Sequence, residues 1–104
     1  MQQNINLTQT KTISMNAKQY VKKPIPIQAM QFMTSNIGEI IAFIGDFPHR
    51  VLANEGIIII STLEGEHIVR HGDYVVRGIY DEYYPVKPTI FEESYEEVTA
   101  DEQL

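Results

Sequence analysis

HGDYVVRGIYDEYYPVKPTIF, residues 71–91, is where turns, strands and charges are most densely specified in this chain. Gly72-Asp73 is a turn pair, because Gly accepts positive φ without steric cost and Asp can bond nearby backbone. Tyr74-Val75-Val76-Arg77 is β-branched and aromatic and predicts a strand, with Tyr74 and Val76 on one face and Val75 and Arg77 on the other. Gly78 ends that strand or makes a bulge. Tyr80-Asp81-Glu82 predicts a hairpin tip, and Tyr83-Tyr84 the returning strand. Pro85 and Pro88 cannot donate to a ladder, so the return lies at a sheet edge or leaves the sheet early.

Upstream, Ile25 to Met33 reads as the first core strand, entered through Lys22-Lys23-Pro24-Ile25-Pro26, whose prolines forbid helix. Ile37, Ile40, Ile41 and Ile44 share one helical face, which predicts the single helix over 37–44. Asn36 and Glu39 suggest a capping box, and Gly45 is a natural residue after the helix. His49 to Ala53 reads as a strand and Asn54-Glu55-Gly56 as a turn. Ile57 to Thr62 predicts a buried strand, residues 63–66 a hairpin loop, and His67 to Arg70 the return. Downstream, Phe91 to Val98 alternates and reads as a half-exposed closing strand. The expected fold is α+β, an antiparallel sheet of about five to six strands with one helix packed on one face. The face left bare by so short a helix calls for a second copy of the chain, hence a homo-oligomer.

A length of 104 residues points to one domain. Residues 1–19 are expected to be a leader, flexible or adding a strand, residues 20–98 the α+β domain, and residues 99–104 a frayed acidic tail. The sequence has no cysteine, so disulfides and thiolate metal sites are excluded and a reducing compartment fits. No apolar run has the length of a membrane span, and no basic flank precedes an apolar block at the start, so no membrane association is expected.

The net charge of −6 is unevenly placed. Residues 1–23 hold Lys11, Lys18, Lys22 and Lys23 and no acid, whereas residues 81–104 set eight acids against Lys87 alone. One reading is a solvated acidic end that aids solubility. The other is an acidic surface that imitates nucleic acid or meets a basic partner. Duplex DNA binding is excluded as a function, since phosphate neutralisation needs a basic footprint.

Catalytic signatures do not emerge. The chain lacks a nucleophile elbow, a P-loop and a dinucleotide fingerprint, and its paired glutamates lie at the exposed end where no acid is pushed up by burial. His67 and His71 are four apart, but on a strand entering a turn rather than on a helix, so they do not aim at one ion. His49, Glu64, Glu66 and Asp73 add possible ligands without specifying a first shell, and no metal or cofactor is expected. What remains is a binding surface. Arg70, Arg77 and Lys87 are the cations of the folded second half, with Tyr80, Tyr83 and Tyr84 close by in sequence. Arg binds phosphate bidentately, Lys as a point charge, and tyrosine offers a face for a base. The competing reading places Tyr83 and Phe91 in the core and pairs the cations with local acids.

The segments VKKPIPIQAMQF (21–32), TLEG (62–65), GDYVVRG (72–78), YPVKPTIF (84–91) and Tyr95-Glu96 together resemble a family of small phage and prophage proteins, in order and spacing, over about residues 20–98. Where that family often has tryptophan, cysteine and aspartate, this chain has Phe32, Val86 and Thr89, so no site needing a thiol or carboxylate at the latter two is expected. The resemblance implies a phage accessory protein in the cytoplasm of a bacterial host, and small acidic phage proteins without catalytic motifs are often counter-defence factors. The expected function is therefore non-enzymatic: sequestration of a small anionic, nucleotide-like immune signal, with Arg77, Lys87 and Arg70 as cations and Tyr80 and Tyr84 beside the base. Two alternatives stand beside it. One is an acidic inhibitor of a host defence nuclease, of the DNA-mimic or anti-CRISPR type, acting through Glu92, Glu93, Glu96 and Glu97. The other is a structural or regulatory phage component with no ligand.

Overall fold

The computed structural model describes residues 16–99. The chain is α+β, but its strands form two antiparallel three-stranded sheets rather than one larger sheet. The first joins β1 (Gln28–Gln31), β5 (Tyr74–Arg77) and β6 (Tyr83–Val86), with β5 central. The second joins β2 (His49–Leu52), β3 (Ile57–Thr62) and β4 (Gly65–Val69), with β3 central. Helix α1 (Ile37–Ile44) follows β1, and a second helix, α2 (Pro88–Ser94), follows β6.

Sequence neighbours β4 and β5 thus end up in different sheets, and β1 crosses to pair with β5 from Gln28↔Arg77 to Gln31↔Tyr74. The edge strand β6 touches both β3 and β4, which closes the two sheets on one core. That core contains Phe32, Ile40, Ile44, Ile58, Ile60, Val69, Val75 and Tyr83. Phe43 meets Tyr83 edge-on at 5.4 Å between centroids, and Phe47 meets it tilted at the same distance. Tyr83 is thereby a core residue, as the competing reading of the hairpin has it.

Several local expectations change for identifiable reasons. β1 is shorter than Ile25 to Met33, because Pro24 and Pro26 lack the N–H that a ladder needs. The β3–β4 loop is only Leu63-Glu64, with Thr62 opposite Gly65, and the Thr62 hydroxyl donates to the Gly65 carbonyl at 2.9 Å. Asn36 precedes α1 without capping it. Its side chain instead donates to the Gln31 carbonyl at 2.9 Å and accepts the Met33 N–H at 3.0 Å, so the capping box is not formed. The closing strand expected over Phe91 to Val98 is replaced by α2. Pro88 occupies its first turn, where a missing N–H costs nothing and the fixed φ is already helical.

α2 also alters the expected bare face. Val75 and Val76 point to opposite sides of β5, and each is 0% exposed. The Val75 side is the core. On the Val76 side α2 stacks Phe91 on Tyr74, but Ala29 opposite Val76 stays exposed, so this side is covered only in part. Residues 16–27 lead in without regular structure, and the rest of the expected leader and frayed tail lies outside the described residues.

Ile58 is fully buried at the centre of β3, whereas Leu63 projects from the tight turn. Ile58→Ala should lower unfolding free energy by about 2–5 kcal/mol, and Leu63→Ala by no more than about 0.5 kcal/mol, in urea titrations. Equal losses from the two variants would contradict this placement of the core.

Candidate functional site

The β5–β6 hairpin holds most of the residues singled out from the sequence, yet it separates them. The ladder runs from Tyr74↔Val86 to Arg77↔Tyr83. Arg77 is therefore at the tip end and Lys87 just past the other end, about 10–13 Å away along the strand. Each cation has its own acid. Arg77 gives Nε to Asp81 Oδ1 at 3.0 Å and Nη1 to Gln28 Oε1 at 3.2 Å. Asp81 reaches it by adopting φ of 62°, a conformation that Asp tolerates better than most residues. Lys87 Nζ lies 3.4 Å from Asp73 Oδ2. Tyr80 is 83% exposed at the tip, and Arg70 is an exposed turn residue whose backbone N–H donates to Asp73 Oδ2 at 2.9 Å. Tyr84 is opposite Val76, hence on the α2 side of the sheet, away from Arg77. The three histidines bond separately, His49 to the Phe47 carbonyl, His67 to Thr62 and His71 to Thr34, with Ile60 of β3 between His49 and His67. Among the described residues no group of His, Asp and Glu has metal-binding geometry.

The structure instead assembles an aromatic surface on the α2 side of the first sheet. Tyr74 and Phe91 stack at 3.9 Å between centroids and 13° between planes, and Phe91 and Tyr95 stack at 4.8 Å. The ladder exists because α2 carries Phe91 one helical turn before Tyr95, which places both rings on the sheet. The Tyr74 hydroxyl donates to Glu92 Oε2 at 3.1 Å, tying the helix to β5. From the other end of the chain, Lys22 Nζ donates to the Tyr95 hydroxyl at 3.2 Å and sits 5.6 Å from its ring centroid, a cation–π placement.

Between these two ends runs an open groove of about 1230 Å³. Pro24, Ile25, Pro26 and Ile27 form one wall, and Tyr74, Phe91 and Tyr95 the other. Glu92, Glu96 and Glu97 also line it, and among the described residues no Lys or Arg does. Ile25 remains 49% exposed, so apolar surface is open to a ligand here. A smaller depression of about 250 Å³ beside Arg77 also includes Asp81, which already answers that cation. The groove therefore offers aliphatic and aromatic contact together with negative charge, which suits a cationic, partly apolar ligand. Neither wall was foreseen from the sequence. The available signals were Pro88 as a helix-start residue and the four-residue spacing of Phe91 and Tyr95.

No family model, no curated protein and no solved structure matches this chain. Among the described residues no helix is long and apolar enough to cross a membrane.

Burial raises the Tyr84 phenol above its ordinary pKa, with Tyr95 adding to the effect. The Tyr74 phenol is raised too, by burial first and then by its bond to Glu92. Both groups hold their protons longer in the folded chain than in the unfolded one, so stability falls as pH rises beyond the unfolded phenol value of about 10. Lys22, raised by its bond to Tyr95, works in the same direction, since that contact is lost when the amine deprotonates. Urea midpoints should drop between pH of about 9 and about 11, and Tyr74→Phe/Tyr84→Phe should make the drop shallower. An unchanged slope in the double variant would contradict the environment assigned to these rings.

Proposed function

We propose that this chain is a non-enzymatic phage counter-defence factor that acts on a protein, holding a basic, partly apolar segment of a host defence protein in the groove over the first sheet. The observation that carries the reading is the composition of that groove: an aromatic ladder, an aliphatic wall and Glu92, Glu96 and Glu97 in one lining, without a cation among the described residues. Such a surface attracts a positively charged segment at long range and desolvates its apolar side chains on contact. The phage setting rests on the sequence resemblance. Sequestration of an anionic, nucleotide-like signal has weaker support, because Arg77 and Lys87 lie at opposite ends of a hairpin and each already faces a carboxylate.

Short fluorescent peptides alternating Lys with Leu, or Glu with Leu, distinguish these readings when titrated beside a panel of linear and cyclic nucleotides in thermal-shift assays. The Lys-Leu peptide should bind and weaken as salt rises, while the Glu-Leu peptide and the nucleotides should not bind. Glu92→Gln/Glu96→Gln/Glu97→Gln should weaken the Lys-Leu complex at least about tenfold, or about 1.4 kcal/mol. A thermal shift with a nucleotide, together with indifference to the Lys-Leu peptide, would reverse the preference in favour of the anionic signal.

A further inference from the structure

The chain contains a segment with the chemistry its own groove selects. Residues 16–27, NAKQYVKKPIPI, carry Lys18, Lys22 and Lys23 and no acid. They form no strand or helix, and Tyr20 and Val21 are 86% and 92% exposed. Two large apolar side chains left this bare beside lysines are a poor match to water and a good match to an aromatic, acid-lined groove. The Ile25 N–H donates to the Lys23 carbonyl at 2.8 Å, a tight turn at Pro24 that bends the arm where it leaves the groove wall. Within a single chain Lys22 already meets Tyr95 at the end of the aromatic ladder, so a lysine of this arm is accommodated there.

We propose that two copies of this chain associate by exchanging these arms, the Lys18–Lys23 segment of each lying in the groove of the other against Glu92, Glu96 and Glu97. The exchange is two-fold symmetric: each copy supplies one basic arm and one acidic groove, so the contact closes at two copies. It also supplies a regulatory consequence, since an arm-filled groove is closed to any other basic segment and an outside ligand must compete with the second copy. The inference rests on the reading of the groove as a site for cationic, apolar segments, and it adds that the resident occupant is the chain itself.

Sedimentation velocity of the full chain over about 1–500 µM tests it, with mass action setting the dimer fraction. The mass should rise from 11.9 kDa toward twice that value, and the rise should weaken with salt. Two charge-reversed forms, Lys18→Glu/Lys22→Glu/Lys23→Glu and Glu92→Lys/Glu96→Lys/Glu97→Lys, should each be at least about tenfold weaker in self-association. Mixing them should restore a heterodimer, which unfolding of either form could not produce. Circular dichroism of each variant checks that it is folded. A full chain that stays monomeric while the Lys-Leu peptide still binds overturns arm exchange and leaves the groove reading standing. A dimer that survives both reversals places the contact elsewhere and also overturns the exchange. Absence of both dimer and peptide binding removes the two readings together.

Discussion

One buried carboxylate holds the two sheets in register with each other. Asp73 is 2% exposed and is the only buried charged side chain among the described residues. It sits where the chain leaves β4 of the second sheet and enters β5 of the first. Its Oδ2 accepts the Arg70 N–H at 2.9 Å and faces the Lys87 ammonium at 3.4 Å, while its own N–H donates to the Arg70 carbonyl at 2.9 Å. Its carbonyl accepts the Phe32 N–H at 2.8 Å, and the neighbouring Gly72 N–H returns a bond to the Phe32 carbonyl at 2.6 Å. A carboxylate removed from water is costly unless it is partnered, and here Oδ2 takes both the Arg70 N–H and the Lys87 ammonium while backbone bonds of the same turn fix the crossing. Gly72 makes the turn at φ of 94°, a conformation that other residues resist. Lys87 is drawn to this point and immediately precedes α2. The junction thus also sets where the helix starts, and through the helix it sets the position of the aromatic ladder.

The parts of the fold that depend on local chemistry are legible in the sequence. Ile57 to Thr62 reads as a buried strand because four consecutive isoleucines have no other place to go, and it is β3 with the same bounds. Ile37, Ile40, Ile41 and Ile44 mark α1 by spacing alone, and Gly45 after it takes the positive φ of 63° that ends the helix. Tyr74 to Arg77 is β5 for the same kind of reason. The division into two sheets is not legible, because it depends on which strands pair across long stretches of chain. β1 finds β5 more than forty residues later, at Gln31↔Tyr74, and no local propensity encodes that choice. The last helix is a different kind of miss. A spacing of four between Phe91 and Tyr95 fits a strand, being a multiple of two, and fits a helix, being close to one turn. The residue that separates the cases is Pro88, which a strand resists and a helix accepts in its first turn.

The site follows the same division. Arg77 and Asp81 stand four apart, so their pairing could have been anticipated, and with it the loss of Arg77 as a free phosphate ligand. The groove could not, because its walls come from opposite ends of the chain. Lys22 and Tyr95 meet across 73 residues, and Tyr74, which begins the ladder beneath Phe91, comes from neither end of the chain. Residues that read as a lead-in and a tail become a site only once residues 24–27, leading into β1, and α2 line one groove beside the first sheet.

That convergence gives meaning to the uneven charge of the sequence. Pro24 to Ile27 of the lead-in and Glu92, Glu96 and Glu97 of the far end line one groove, and Lys22 meets Tyr95 at its edge, so part of what looks like segregation along the chain is apposition in space. The net charge of −6 repels other copies and other acidic proteins at a distance, but at physiological salt that repulsion fades beyond about 8 Å. Within that range the sign of the local surface governs, and here it is negative beneath an apolar wall. A uniformly solvated acidic tail would have no reason to stack its rings on the sheet or to tie Glu92 to the Tyr74 hydroxyl. The bonds that hold α2 down also hold its carboxylates at the lip of an apolar surface, where a lysine with an aliphatic neighbour gains contact and charge neutralisation in the same place.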